Sequence, residues 1–272
     1  MDLYNKKNNM INIIIKINQT KKINIKKSRK SALLVGCNYT GSHYELYGCI
    51  NDMDNLKNKL STQYKFNNIT LLTDKTNIKP TKKNILNKLK NLLINTNSGD
   101  TVIFCFSGHG SQTIDLNNDE NDGIDELIVP LDFNYINDDE LSNLISKYLK
   151  KGVNLFALFD SCHSGTILDL KYQYLNSLNN NQNSINLKYK KTNGNVIMIS
   201  GCLDNQFSED AYINNTSQGA MTWSFLESIN KNPSIKWFDL IKNMRKLLKI
   251  NGYNQIPQLS SGNPISNTPI FL

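Results

Sequence analysis

Phe106-Ser107-Gly108-His109-Gly110 and Phe159-Asp160-Ser161-Cys162-His163-Ser164-Gly165 each follow an apolar run rich in β-branched and aromatic residues, Thr101 to Phe106 and Val153 to Phe159. Such runs read as buried strands, and the Gly- and Ser-containing ends as the turns that leave them. Between and around them the chain alternates. Ser31 to Cys37 is a further buried-strand candidate, the Asp54, Leu56 and Leu60 region after Cys49 reads as a helix, and Ile69 to Leu72 as a short strand. Thr81 is placed to cap a helix whose apolar positions Ile85, Leu86, Leu89, Leu92 and Leu93 recur at three and four residues. Leu141, Leu144, Ile145 and Leu149 predict another helix begun near Asp138. Repeated βαβ units imply an α/β fold, a central, mostly parallel sheet with helices on both faces.

In sheets of this kind working residues gather beyond the carboxyl ends of the strands. His109 and Cys162 both lie there. A thiol is a modest nucleophile until a base removes its proton, so a cysteine and a histidine at adjacent strand ends form a plausible chemical pair. Further along, Val196 to Ser200 predicts a strand, followed by helices around Ala220 to Ile229 and Ile235 to Ile250. From Leu170 to Gly194 the chain turns Asn- and Lys-rich with weak periodicity, which predicts a flexible connection.

The 272 residues suffice for a substantial core without disulfide or metal staples. Five scattered cysteines with no CxxC pair argue against a disulfide framework or closed zinc site and for a reducing, cytoplasmic setting. The apolar run Met10 to Ile15 is interrupted at Lys16, too short for a membrane span and unlike a signal peptide. The net charge of +8 is local: residues 1–30 hold nine of the 31 basic residues and one of the 23 acids, leaving 22 of each sign elsewhere. A basic tail could meet nucleic acid. The Asn/Lys-rich composition equally suits solvated disorder, and no nucleic-acid partner or membrane is expected.

Several ordered motifs now resemble those of the metacaspases, caspase-related cysteine peptidases. They are Gly48-Cys49-Ile50-Asn51-Asp52, Ser107-Gly108-His109-Gly110, Asp122-Gly123-Ile124-Asp125-Glu126, Asp160-Ser161-Cys162-His163-Ser164-Gly165, Ser200-Gly201-Cys202 and Gly219-Ala220-Met221-Thr222. The resemblance runs from residue 31 to the C-terminus, and the separation of 53 positions from His109 to Cys162 fits caspase-type spacing. It implies a caspase-hemoglobinase-like α/β/α sandwich, with a large catalytic subdomain over 31–170, a linker over 171–194 and a small subdomain over 195–272, after a basic tail, 1–30, expected to be disordered. It also implies an endopeptidase in which Cys162 attacks the scissile carbonyl and His109 handles protons; separately, a monomer is expected. Backbone N–H groups of Gly110 and Cys162 would bind the oxyanion. His163 is disfavoured as the base because it adjoins Cys162 on a strand exit. A catalytically weak scaffold of the same fold is the alternative, weakened by the presence of both catalytic residue types.

The resemblance further implies protein or peptide substrates with Arg or Lys at P1. Asp52 and Asp160 match the acids of the family's S1 pocket, with Cys49 and Ser107 as polar walls, and carboxylates suit the guanidinium fork or the ammonium charge. An EF-hand reading of the acid-rich segment from Asp115 to Glu126 fails, because setting Gly123 at the loop's sixth position puts Val129 where the closing Glu belongs. Type I relatives instead bind an activating Ca²⁺ through dispersed acids, matched here by Asp125, Asp138, Asp139 and Asp169. Lys171, Lys188, Lys190 and Lys191 in the linker, and Arg29 and Lys30 in the tail, are candidate self-cleavage sites. An N-capping role is the competing explanation for Asp138 and Asp139.

Overall fold

The computed structural model describes residues 28–115, 123–174, 184–201, 210–213, 216–266 and 268–271. In chain order the elements begin β1 (Lys30–Gly36), α1 (Cys49–Thr62), β2 (Asn68–Thr73), α2 (Lys82–Ile94) and β3 (Thr101–Ser107). A small antiparallel sheet follows, β4 (Gly110–Ile114), β5 (Ile124–Ile128) and β6 (Ile136–Asn137), then α3 (Asp138–Tyr148) and β7 (Asn154–Asp160). The remainder comprises β8 (Tyr172–Gln173), β9 (Ser184–Ile185), β10 (Asn195–Ser200), β11 (Asp210–Ile213), β12 (Thr216–Gly219), α4 (Ala220–Lys231), α5 (Trp237–Ile250) and β13 (Gln258–Ser261).

The main sheet has the order β2-β1-β3-β7-β10-β13-β8-β9. Its first five strands are parallel, and β13, β8 and β9 add on antiparallel. Central strands read as continuous apolar runs because both faces are covered. All seven residues of β3 are buried. Alternate side chains enter different cores: Leu33, Val35, Val102 and Phe104 pack with Ile85 and Leu89 of α2 and Leu141 of α3. Ala32, Leu34, Ile103 and Cys105 pack with Met53 and Leu56 of α1, Phe225 of α4 and Leu240 of α5. Helices therefore clothe both faces of one sheet, the expected α/β/α sandwich. The 3–4 spacing of Trp237, Leu240, Ile241, Met244 and Leu248 gives α5 its buried stripe.

Thr81 caps α2, its side chain accepting a hydrogen bond from the Asn84 N–H. Helix α3 begins at Asp138, as its apolar spacing predicts. Asn137 accepts from the Glu140 N–H at 3.0 Å, and Glu140 accepts from the Asn137 N–H at 3.3 Å, a closed capping box one residue before Asp138. Asp138 and Asp139 are thus not the N-cap. Arg29 and Lys30 also leave the tail assigned by composition: the Arg29 guanidinium pairs with Asp100 at 2.8 Å, and Lys30 opens β1 and donates to the Phe271 carbonyl at 2.7 Å. The 171–194 connection carries short strands at its start and middle, Tyr172–Gln173 and Ser184–Ile185, which pair with each other. Residues 1–27 of the tail and 175–183 of the connection lie outside the described residues, as do Asp122 and Cys202.

Candidate active site

Strands β3 and β7 are parallel neighbours in register, with Ser107 opposite Asp160 at their carboxyl ends. His109 and Cys162 each follow that last pair by two residues. Sheet geometry alone thus delivers both to one place, and the Gly108 N–H, donating to the Asp160 carbonyl at 3.2 Å, ties the two exits together. Immediately beyond, Gly110 backs onto the Cys162 loop. A Cβ on Gly110 would lie 1.9 Å from the Cys162 carbonyl oxygen and 3.1 Å from its nitrogen. Cys162 itself is half-buried and the following His163 has φ of +50°. This left-handed turn carries the chain away from the strand.

The His109 ring is oriented by its neighbours. Nε2 lies 2.8 Å from the Tyr44 carbonyl oxygen. A carbonyl only accepts, so Nε2 carries the hydrogen in the neutral ring and Nδ1 is left as the basic nitrogen. The Tyr39 ring lies against the imidazole with centroids 4.8 Å apart, and the Tyr44 ring meets it edge-on at 6.3 Å. Gly110 is paired with Ile128 across β4 and β5, while the neighbouring Val129 N–H donates to the His109 carbonyl at 3.0 Å. Gly110 and Ile128 are therefore a non-hydrogen-bonded pair, and the Gly110 N–H takes no part in the ladder.

The four residues expected around a basic P1 side chain come together. Asp52, in the first turn of α1, is only 1% exposed, so it is not a solvated acid at a helix start. The Ser107 hydroxyl donates to its Oδ2 at 2.8 Å, and the Gly219 N–H reaches both its oxygens at 2.9 and 3.1 Å. Asp160, the buried last residue of β7, accepts from the Thr222 N–H at 2.9 Å and hydroxyl at 2.8 Å. Cys49 is buried against Ser107, and burial together with the nearby Asp52 holds its thiol well above the ordinary cysteine value. Gly219 joins the two acids. A Cβ there would fall 2.1 Å from Asp160 Oδ2 and 2.9 Å from Asp52 Oδ2.

Nothing in the sequence around Gly219 and Thr222 by itself assigns them this task. Both belong to the N-terminus of α4, whose free N–H groups and dipole favour adjacent negative charge. The cue was present: Gly219-Ala220-Met221-Thr222 opens an apolar helix with no side chain at the cap able to accept.

Asp125, Asp138 and Asp139 also converge, each offering a carboxylate oxygen within 4.8 Å of the others. Asp125 lies on β5, Asp138 and Asp139 on the first turn of α3. Asp138 Oδ2 accepts from the Glu126 N–H at 2.7 Å, and Oδ1 from the Asp139 N–H at 2.7 Å. Asp169 stands outside this tight group, in a left-handed conformation with φ of +48°, its N–H donating to the Thr166 carbonyl at 2.7 Å. Glu126 connects the two regions. Its buried carboxylate accepts from the hydroxyl of Thr166, four residues after Cys162.

The sequence model of the family described as Metacaspase, peptidase C14 domain, matches residues 30–171. Metacaspase-1 of Meyerozyma guilliermondii is 38% identical over 290 residues, covering 87% of this chain and 70% of its own length. Metacaspase-1 of Debaryomyces hansenii is 37% identical, with 87% and 65% covered. Among solved structures, a Geobacter sulfurreducens protein superposes with a TM-score of 0.67 at 24% identity, covering 89% of this chain and 98% of its own. Caspase-1 of Spodoptera frugiperda superposes at 0.57 with 12% identity, covering 86% of this chain and 88% of its own. The two structures establish a caspase-like fold, and the sequence matches over most of the chain establish that it belongs to the metacaspases, a family of caspase-like cysteine peptidases.

Proposed function

We propose that this chain is a calcium-activated endopeptidase cleaving after Arg or Lys, with Cys162 as nucleophile and His109 as general base and acid. The observation that carries the reading is the seating of Gly110 against the Cys162 backbone beside an imidazole whose Nε2 is engaged by Tyr44. His109 Nδ1 takes the thiol proton, and the thiolate attacks the scissile carbonyl carbon. Charge developing on the carbonyl oxygen is met by the N–H groups of Gly110 and Cys162. Collapse of this intermediate breaks the C–N bond, and Nδ1–H gives its proton to the departing amine. Water then attacks the thioester as His109 accepts a proton, releasing the acid and regenerating the thiol.

The pair Asp52 and Asp160 supports a basic P1 residue, because two buried carboxylates meeting at Gly219 attract a cation and repel an aspartate. Calcium fits the acidic cluster: three carboxylates on β5 and α3 offer hard oxygens in a space of ionic dimensions. The reading keeps Asp169, which stands outside that group, as a donor to be brought in when the ion binds. A bound Ca²⁺ would neutralise mutual repulsion among these acids. Self-processing fits Lys188, Lys190 and Lys191, which are exposed outside regular structure, better than Arg29 or Lys30, which are held by Asp100 and β1. The reading includes a monomer, since the two-residue strand β9 offers little edge to a second chain. It includes a reducing cytoplasm, since the described cysteines are free thiols.

The test is a peptide panel with Arg, Lys or Asp at P1, run across a calcium titration beside Cys162→Ala. Thiol-dependent turnover of Arg and Lys peptides that vanishes on chelation is expected. Turnover of Asp peptides, or activity indifferent to chelation, contradicts it.

A further inference from the structure

We infer that Tyr39 is a positioning residue whose hydroxyl, inserted into the β4–β5 ladder, sets the placement of both His109 and the Gly110 N–H. This rests on the reading of His109 as the base and assigns a role to a residue outside the dyad.

The register fixes what an uninterrupted ladder would contain. With Gly110 and Ile128 a non-hydrogen-bonded pair, His109 and Val129 form the next, hydrogen-bonded pair and should exchange two bonds. One is present, from the Val129 N–H to the His109 carbonyl at 3.0 Å. In place of the other stands the phenol of Tyr39: it accepts from the His109 N–H at 2.9 Å and donates to the Val129 carbonyl at 2.5 Å. A hydroxyl thus takes the place of a direct bond, holding these two backbone groups apart at the point where β4 begins. The proposed oxyanion donor is the next residue along.

The phenol is itself immobilised. Tyr39 is 1% exposed, has φ of +52°, and its ring packs on the imidazole and on Phe133, with centroids 4.8 and 5.6 Å away. Gly108 provides the space, since a Cβ there would lie 2.7 Å from the Tyr39 hydroxyl. Nearby titratable groups are Cys37, Cys49, Asp74 and His109. Burial, then the neighbouring Cys37, pushes the phenol well above its ordinary value, so it keeps the proton it donates. A side chain needed only to fill this space could be phenylalanine. The bridge requires the hydroxyl.

Tyr39→Phe keeps the ring and removes the bridge, allowing His109 and Val129 to close directly and drawing His109 and Gly110 from their positions. Displacements of about 1 Å at a catalytic group cost on the order of a hundredfold in rate. The expectation is therefore a kcat lowered on the order of ten- to a hundredfold, with KM within about twofold of wild type. In the substrate-free protein, the pH profile of Cys162 alkylation by iodoacetamide should also shift, a change that simple loss of stability does not produce. Wild-type kcat and a wild-type alkylation profile in folded Tyr39→Phe would overturn the inference. If that variant does not fold, ring-difluorinated tyrosine at residue 39 keeps shape and hydroxyl but weakens the oxygen as acceptor. It should lower kcat and shift the profile, and wild-type values for both are the overturning result. His109→Ala is the control for the underlying reading: full turnover in that variant removes the base itself, whereas an inactive His109→Ala beside a wild-type Tyr39→Phe removes only the positioning role of Tyr39.

Discussion

Gly110 shows how much a single absent side chain can decide. Its backbone touches that of Cys162 so closely that any Cβ would collide with the Cys162 carbonyl oxygen at 1.9 Å, and the obstacle is backbone that no rotamer change removes. Gly110→Ala should therefore push the β4 entry and the nucleophile loop apart, and with them the proposed oxyanion donor. Loss of one such donor costs on the order of a hundred- to a thousandfold in kcat. Steady-state kinetics on an Arg-P1 peptide checks this, and a variant within threefold of wild type would contradict the contact. The cysteines make a second prediction at this scale. Cys37, Cys49 and Cys105 are buried, and desolvation raises each thiol well above its ordinary value, whereas Cys162 is half-buried at a strand exit. Among these four, iodoacetamide at neutral pH should modify Cys162 alone. Peptide mass mapping reads the outcome, and labelling of Cys49 at a comparable rate would count against a closed S1 wall.

At the scale of elements, the nucleophile loop is braced from the small sheet. Thr166 of that loop donates to the buried Glu126 on β5, whose N–H is in turn held by Asp138 at the start of α3. Thr166→Val leaves a buried carboxylate short of a hydrogen bond, a loss of about 1–3 kcal/mol. At about 2–4 °C per kcal/mol for a domain approaching this size, melting should occur several degrees lower. Turnover should fall with it while calcium affinity, measured calorimetrically, stays put. An unchanged melting temperature would show that the contact contributes nothing. Little of this bracing was legible in the sequence. Long elements were, because β1, β3, β7 and β10 are unbroken apolar runs and α2 and α5 carry a clear helical spacing. Short ones were not: Gly110–Ile114 and Gln258–Ser261 each hold one large apolar residue, and their backbone pairing is dictated by neighbours. The start of α3 at Asp138 was legible but its cap was not, since Asn137, Asp138 and Asp139 are all competent caps and only geometry chooses. Asp52 and Asp160 came from family resemblance. That Gly219 and Thr222 hold them depends on α4 starting against β7, a long-range meeting no local pattern records.

Among the described residues one eight-stranded sheet carries the candidate dyad beyond the carboxyl ends of its central parallel strands, and the acidic cluster is built into the small sheet and helix beside it. Asp125 sits on β5, in the sheet whose first residue is Gly110, while Asp138 and Asp139 open α3, which packs into the core beneath β3 and β7. Drawing three carboxylates within 4.8 Å costs the folded state electrostatic repulsion that the unfolded chain avoids. A cation that binds the folded form alone should therefore stabilise the entire domain by linkage, about 2.7 kcal/mol when calcium is a hundredfold above its dissociation constant. With the scaling used for Thr166, that is a rise on the order of 5–10 °C in melting temperature. Asp125→Asn is the informative variant, because the amide keeps the shape and removes the charge. It should melt near or above wild type without calcium and lose most of the calcium-dependent rise. Equal calcium-induced shifts in wild type and Asp125→Asn would remove Asp125 from the proposed site, and no shift in wild type at millimolar calcium would remove the site, leaving the three acids as a structural cluster. Magnesium provides the selectivity arm: it demands tighter, near-octahedral geometry and dehydrates reluctantly, so an open carboxylate set on two separate elements should give the larger shift with calcium.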